Sequence, residues 1–252
     1  MVEQGLAPSR SIAQRLVLAG QVRVNGQVAL KPSISVQPDA AIEIDQRPPF
    51  VSRGGEKLAA ALSVFGVAVS DRVCADVGAS TGGFTDCLLQ NGAVRVYAID
   101  VGHGILDWRL RQDQRVISME RTNARYIQQL PEPIQLVTVD VSFISLKVLF
   151  PVFKNWFPEQ IGGDLIALVK PQFEAGRAVV ARGAGVIRDP EIHRQVLQDV
   201  LDDAQGLGYA VRGLIRSPLL GPKGNTEFLA WIAYPGIGYQ PLDELLDSVL
   251  VV

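Results

Sequence analysis

The sequence predicts an α/β protein in which a doubly wound, mostly parallel seven-stranded sheet follows a small α+β unit. Two observations lead there. From Val51 onward, short apolar runs alternate with amphipathic stretches. Before that point the chain holds one helical stripe and a hairpin signal, closed off by Pro48-Pro49. The composition agrees: at 252 residues, with 48% hydrophobic and 20% charged side chains, the chain is long enough to bury a sizeable core without staples.

The elements follow in order. Ser9 is placed as an N-cap before Ile12, Leu16 and Val17 at helical spacing, with Gly20 where a left-handed C-terminal glycine belongs. Val22 to Val28 alternates around Asn25-Gly26, the strongest local signal for a two-residue hairpin, and Ile42-Glu43-Ile44 reads as a further strand. The two prolines stiffen a linker over residues 45–51, so the expected domains are 1–46 and 47–252. Leu58, Ala61, Leu62 and Phe65 then mark one helical stripe. Strands are expected at 72–77, 94–100, 115–119, 135–141, 163–169, 209–215 and 226–234, and helices at 82–91, 104–112, 146–156 and 190–207. The last two strands flank Gly221 to Asn225, a connection too short for a parallel crossover, so the last strand must run antiparallel.

Charge and cysteine content exclude several classes. Cys74 and Cys87 alone, in no ligand spacing, fit a reducing compartment and argue against a disulfide framework or a metal site. The longest uncharged run, Phe228 to Leu242, is broken by Pro235-Gly236 and is shorter than the ~20 apolar residues of a membrane span. Met1-Val2-Glu3-Gln4 does not open a signal peptide, and the expected location is the cytoplasm. The net charge is -2, yet residues 1–38 set Arg10, Arg15, Arg23 and Lys31 against Glu3 alone. A local patch of this kind sets the field that a phosphate backbone feels. On charge alone, the four cations read as a solvated face in preference to a nucleic-acid patch.

Asp76-Val77-Gly78-Ala79-Ser80-Thr81-Gly82-Gly83 stands where the first strand of the large sheet turns into a helix, with D-x-G-x-x-x-G spacing instead of the G-x-G-x-x-G of a pyrophosphate loop. Asp100 closes the second strand, where a carboxylate can accept both hydroxyls of a ribose. Together they fit an adenosine-bearing cofactor without phosphates, S-adenosylmethionine, better than NAD. Asp140 ends the fourth strand and Lys170 the fifth, at the sheet edge where α/β proteins bind ligands. Either charge alone simply marks a strand leaving the core. Two at neighbouring strand ends point to a site. Glu227 opens the seventh strand and Lys57 precedes the sheet; nothing in the sequence alone brings these two together.

The motifs Ser52-Arg-Gly-Gly-Glu-Lys-Leu58, Asp76-Val-Gly-Ala-Ser-Thr-Gly-Gly-Phe-Thr-Asp-Cys87, Glu120-Arg-Thr-Asn-Ala-Arg125, Asp140-Val-Ser-Phe-Ile-Ser-Leu146 and Lys170-Pro-Gln-Phe-Glu-Ala-Gly-Arg177 occur in that order. Over essentially its whole length the chain resembles the TlyA family. That resemblance implies a ribosomal-protein-S-four-like RNA-binding domain joined to a Rossmann-like, FtsJ-like 2′-O-ribose methyltransferase. It implies a catalytic tetrad of Lys57, Asp140, Lys170 and Glu227, and cofactor contacts from Asp76, Gly78, Ser80, Gly82, Asp100 and Asn123. It also implies S-adenosylmethionine as cofactor, ribosomal RNA or a ribosomal subunit as partner, and a cytidine 2′-hydroxyl as acceptor. Family members usually begin with a further Arg-Leu-Asp-x-x-Leu segment, so the first domain is expected to lack its first few residues. The family sometimes carries the label haemolysin, but neither a membrane span nor a basic interfacial helix is legible here.

The chemistry agrees with the tetrad. A ribose hydroxyl is a poor nucleophile until its proton is drawn away, so the task is alignment plus deprotonation. Lysine serves as a base only when its pKa is lowered, and a second lysine together with burial lowers it. Lys170 is therefore assigned as base or hydroxyl-steering group, Asp140 and Glu227 as its orienters, and Lys57 as second cation. Arg177, Arg182 and Arg188 among Gly176, Gly183 and Gly185 fit either a lid over RNA phosphates or a solvated loop. His103 and His193 are expected at helix starts in structural roles, and Trp108, Trp156 and Trp231 in the core.

Overall fold

The computed structural model describes residues 1–250 apart from 19–20, 30, 35, 38, 45–47, 177–184 and 237–240. The chain forms two compact units, Met1–Pro49 and Phe50–Val252.

In the first unit, helix α1 (Arg10–Leu18) starts where the Ser9 hydroxyl accepts the Ile12 amide at 3.3 Å, satisfying one of the donors that a helix start leaves unpaired. Strands β1 (Val22–Val24) and β2 (Gln27–Val28) form a hairpin whose corner residues Asn25 and Gly26 have φ of 51° and 80°. That left-handed pair matches the twist of the flanking strands. β3 (Ile42–Ile44) pairs antiparallel on the other side of β1, and Asn25 Oδ1 accepts the Ala41 amide at 2.9 Å. The core here is thin: Val17, Val22 and Ala29 are its buried members. Gly20 lies outside the described residues.

The second unit is built on strands β4 (Val73–Val77), β5 (Arg95–Ile99), β6 (Val116–Met119), β7 (Leu136–Val139), β8 (Gly163–Val169), β9 (Ala210–Arg216) and β10 (Phe228–Tyr234). Their order is β6-β5-β4-β7-β8-β10-β9, and every neighbouring pair from β6 through β8 is parallel. β10 runs antiparallel between β8 and β9. β7 and the carboxyl half of β8 are buried along their length, as strands covered on both faces must be. On one face lie α2 (Gly54–Phe65) and α3 (Gly83–Gln90), packing Leu58, Leu62, Phe84 and Leu88 against Val96 and Ile166. On the other, Phe150, Phe153, Trp156 and the long α7 (Pro190–Gly206) cover Val137 and Leu165.

Four expectations need correction. The helix expected at 146–156 is a 3-10 turn at Leu146–Val148 followed by the single turn α5 (Phe150–Phe153); Pro151 has no amide to bond back to the Lys147 carbonyl, which separates the two turns. The helix expected at 104–112 is only α4 (Trp108–Gln112), since the Asp107 carboxylate caps it by accepting the Arg109 amide at 2.9 Å. Trp108 is consequently 65% exposed and not in the core, and His103 stands in the preceding loop with Nδ1 2.8 Å from Glu120 Oε2. Trp156 is buried, Trp231 half-buried. The short α6 (Pro171–Glu174) and the terminal α8 (Asp243–Leu250) had no expectation attached to them.

Candidate active site

The strand order turns back between β4 and β7: from β4 the chain runs outward through β5 to β6, then returns to β7 and β8. At such a reversal the connecting segments diverge and leave a crevice at the carboxyl ends of the strands. The residues after β4, β5, β7 and β8 are Gly78, Asp100, Asp140 and Lys170. β10 reaches the same edge by its opposite direction. Its first residue, Phe228, pairs with Val169, so Glu227 emerges beside Lys170.

Gly78 has φ of 83°, and a Cβ there would lie 2.4 Å from the Asp140 carbonyl oxygen, so this close approach of two strand ends admits only glycine. Ser80, also left-handed, donates its amide to Asp100 Oδ2 at 2.8 Å, while the Gly102 amide reaches Oδ1 at 2.7 Å. These bonds hold the Asp100 carboxylate at the edge of a cavity of about 380 Å³, walled by Ile99, Val101, Ala124, Val141 and Leu149 and also touched by Asn123. A second cavity of about 520 Å³ is lined by Ser52, Arg53, Lys57, Phe84 and the Leu219–Pro222 segment. Gly78, Ser80 and Asp140 belong to both walls, so Asp140 stands where the two cavities meet.

Four charged side chains gather here as two pairs. Lys170 Nζ lies 2.5 Å from Asp140 Oδ1 and 3.2 Å from Ser142 Oγ, above the Phe173 ring. Lys57 Nζ lies 2.6 Å from Glu227 Oε2, whose side chain is fully buried. This departs from the expectation in one respect: Glu227 orients Lys57, while Asp140 holds Lys170. The reason is tertiary. α2 and α3 approach so closely that a Cβ on Gly83 would lie 2.3 Å from Ser52 Oγ and 2.9 Å from the Gly55 amide, and this contact carries Lys57, in the first turn of α2, to the β10 end.

Two expected cofactor contacts are elsewhere. Asp76 is fully buried and lines neither cavity; its carboxyl accepts from Thr85 Oγ1 at 2.6 Å and Thr138 Oγ1 at 3.3 Å. Burial pushes its pKa up to about 7, with the two hydroxyl bonds opposing and the Asp140 charge adding to the rise. Gly82 serves as the left-handed cap of α3 and packs against Leu106 and Leu110. In the first unit, Arg10, Arg15 and Lys31 are exposed, whereas Arg23 reaches the Gly26 carbonyl at 3.3 Å and faces Glu43 across the β1–β3 pair. Arg188 is exposed, and Arg177 and Arg182 lie outside the described residues.

Sequence reasoning missed three neighbours of the site. Phe143, left-handed with φ of 65° and 90% exposed, lines the smaller cavity with its ring 4.8 Å from that of Phe173. Its place in an apolar run had hidden it. Glu174 accepts Ser145 Oγ at 2.6 Å and the Leu146 amide at 2.9 Å, binding the segment after β7 to the segment after β8. Gln172 donates to Glu227 Oε1 at 3.5 Å. A polar residue two places beyond Lys170 in the Lys-Pro-Gln-Phe-Glu motif was the only signal for it.

A Rossmann-like sheet with its last strand antiparallel, an apolar cavity with a strand-end carboxylate, and no phosphate-binding glycine pattern define the fold of S-adenosylmethionine-dependent methyltransferases. The cavity residues fit that cofactor: Asp100 keeps free lone pairs for ribose hydroxyls and the apolar walls suit a purine. Residues 50–234 match the FtsJ-like methyltransferase family and residues 1–42 match the S4 domain, so the chain belongs to the FtsJ-like methyltransferases and carries an S4 domain ahead of the catalytic unit. It is 44% identical to the "16S/23S rRNA (cytidine-2'-O)-methyltransferase TlyA" of Mycobacterium tuberculosis, over 92% of this chain and 87% of that one. It is 45% identical to the "Putative rRNA methyltransferase YqxC" of Bacillus subtilis, over 99% and 90%. A solved structure named "Putative hemolysin from Streptococcus thermophilus" superposes with a TM-score of 0.75 at 42% identity, over 98% of this chain and 92% of that one. An S-adenosylmethionine dependent methyltransferase from Mesorhizobium loti, 13% identical with a TM-score of 0.52 over 72% of this chain and 100% of its own, shares the fold alone.

Proposed function

We propose that this chain transfers a methyl group to the 2′-hydroxyl of a cytidine in ribosomal RNA, using Lys57, Asp140, Lys170 and Glu227. The observation that carries the reading is the meeting of two lysine–carboxylate pairs at one sheet edge, with Asp140 at the junction of the two cavities. The smaller cavity suits adenosine, and the larger, walled by Arg53 and Lys57, suits a sugar-phosphate acceptor. S-adenosylmethionine, when bound, supplies an electrophilic methyl on a sulfonium. The protein's own groups then have to place the hydroxyl oxygen and draw off its proton. Asp140 and Ser142 hold the Lys170 ammonium in one direction, and Glu227 holds Lys57 in another. Lys170 either fixes the oxygen as the ammonium or, once it has passed one proton to solvent, takes the hydroxyl proton as the neutral amine, while Lys57 steadies the negative charge that grows there. Phe143 offers an exposed aromatic face beside the junction for an unstacked base. The S4 domain, with Arg10, Arg15 and Lys31 exposed, supplies phosphate contacts.

The test is mass-spectrometric mapping of methylated riboses in ribosomal RNA treated with wild type and with Lys170→Ala. Alanine should cut turnover by about 10²–10⁴-fold, the range a positioned acid–base group contributes, with cofactor affinity unchanged. Lys170→Arg keeps the charge but does not give up a proton. Restored turnover with arginine assigns Lys170 to steering the oxygen; a rate as low as alanine's assigns it to proton removal. No new 2′-O-methyl position with wild type would sink the reading.

A further inference from the structure

Gln172 is a buried amide that neither cavity uses as wall. It lies in the single turn of α6, two residues past Lys170, the N-cap of that turn. Its Nε2 faces Glu227 Oε1 at 3.5 Å, the long end of N–H···O geometry, while Glu227 Oε2 is taken by Lys57 at 2.6 Å. Its own Oε1 is buried with no hydrogen-bond partner among the described residues. Buried native polar atoms are almost always paired, so an orphan needs a reason. Turning the amide over would give no relief, since it would set a carbonyl oxygen against the carboxylate. The orientation is therefore fixed by Glu227, and the unpaired oxygen is what that orientation leaves behind. The other flank of Glu227 is equally tight: a Cβ on Gly221 would lie 2.0 Å from the same Oε1.

We infer that Gln172 is a positioning residue: with Gly221 closing the other flank of Glu227, it keeps that carboxylate turned so that one oxygen meets Lys57, and it ties the Lys57–Glu227 pair to the turn that carries Lys170. The inference rests on the proposed role of Lys57 and Glu227 in methyl transfer. Because Lys170 is the N-cap of α6, the two pairs are then set relative to one another by four residues of backbone, Lys170 to Phe173, with Phe173 under one ammonium and Gln172 against the carboxylate of the other.

The test is a cycle of four full-length proteins: wild type, Gln172→Leu, Glu227→Gln and the double variant, assayed for methyl transfer to ribosomal RNA. Gln172→Leu should lower kcat about tenfold, within the range by which displaced positioning slows catalysis, with the KM for S-adenosylmethionine unmoved. Leucine also removes the orphan oxygen, so its melting temperature should not fall, which a purely structural glutamine would not allow. In the Glu227→Gln background the same change should cost less than about twofold, because the carboxylate it orients is gone. Equal losses in both backgrounds, or an unchanged kcat for Gln172→Leu, would overturn the inference, as would a Glu227→Gln variant as fast as wild type. Should leucine lower the melting temperature, Gln172→Asn, one methylene too short to reach Glu227, carries the same cycle. Wild-type turnover on RNA reports the proposed function separately from every one of these differences.

Discussion

The two lysine–carboxylate pairs look alike in charge and length but arise differently. Asp140 and Lys170 follow adjacent parallel strands, β7 and β8, so two neighbouring strand ends bring them within reach of each other. Lys57 and Glu227 stand 170 residues apart, one on a helix that precedes the sheet and one at the start of an antiparallel strand. The Asp140 side chain keeps 24% exposure, whereas that of Glu227 keeps none. A pair made by neighbouring strand ends can stay partly wet and still be held in place. A pair made across the fold depends on being enclosed.

That difference sets the scale of the expected effects. Lys57→Ala leaves the fully buried Glu227 carboxylate without its counter-ion, and should cost about 3–5 kcal/mol of stability, the range for breaking a buried pair from one side. Lys170→Ala should cost no more than about 1 kcal/mol, since water can reach the Asp140 carboxylate it leaves behind. Urea unfolding of the two variants checks the contrast, and equal losses would erase the distinction between an enclosed and a half-open pair. Asp100 is a third strand-end carboxylate, held by two backbone amides instead of a lysine. Asp100→Ala should weaken S-adenosylmethionine binding by about 1.5–3 kcal/mol, the worth of a charged acceptor, in calorimetric titration, with little change in melting temperature.

A fourth carboxylate, Asp76, lies under the glycine loop and feels the Asp140 charge. Its folded pKa of about 7 lies above the usual carboxylate range, so between roughly pH 4 and pH 7 the folded state holds a proton that the unfolded state has lost. Folding stability from this group therefore falls as pH rises through that window and levels off above it. Asp76→Asn, which keeps both threonine partners in reach, should remove the fall, so that the variant gains on wild type between about pH 4 and pH 7 in thermal melts. A difference independent of pH would mean that Asp76 does not titrate there.

Much of this was legible in the sequence because it rests on local rules. Period and turn chemistry were enough for the sheet, the Asn25-Gly26 hairpin and the antiparallel last strand. Strand ends were enough for Asp100, Asp140 and Lys170, since a parallel sheet presents all its carboxyl ends on one edge. The helix expected at 146–156 failed because a proline's missing amide broke it in two, and the one expected at 104–112 was shortened because the Asp107 cap starts it at Trp108.

What the sequence by itself determined, then, is the sheet, its direction of winding and the edge on which charged strand ends collect. Only the tertiary structure decided the partners of those charges. Which lysine meets Glu227 depends on the glycine contact between α2 and α3 and on the β10 register. Which carboxylate faces a cavity and which is sealed beneath it separates Asp100 from Asp76, two residues of the same charge at the ends of neighbouring strands. Local propensity follows chain spacing, whereas enclosure and pairing follow distances in space that the spacing does not contain.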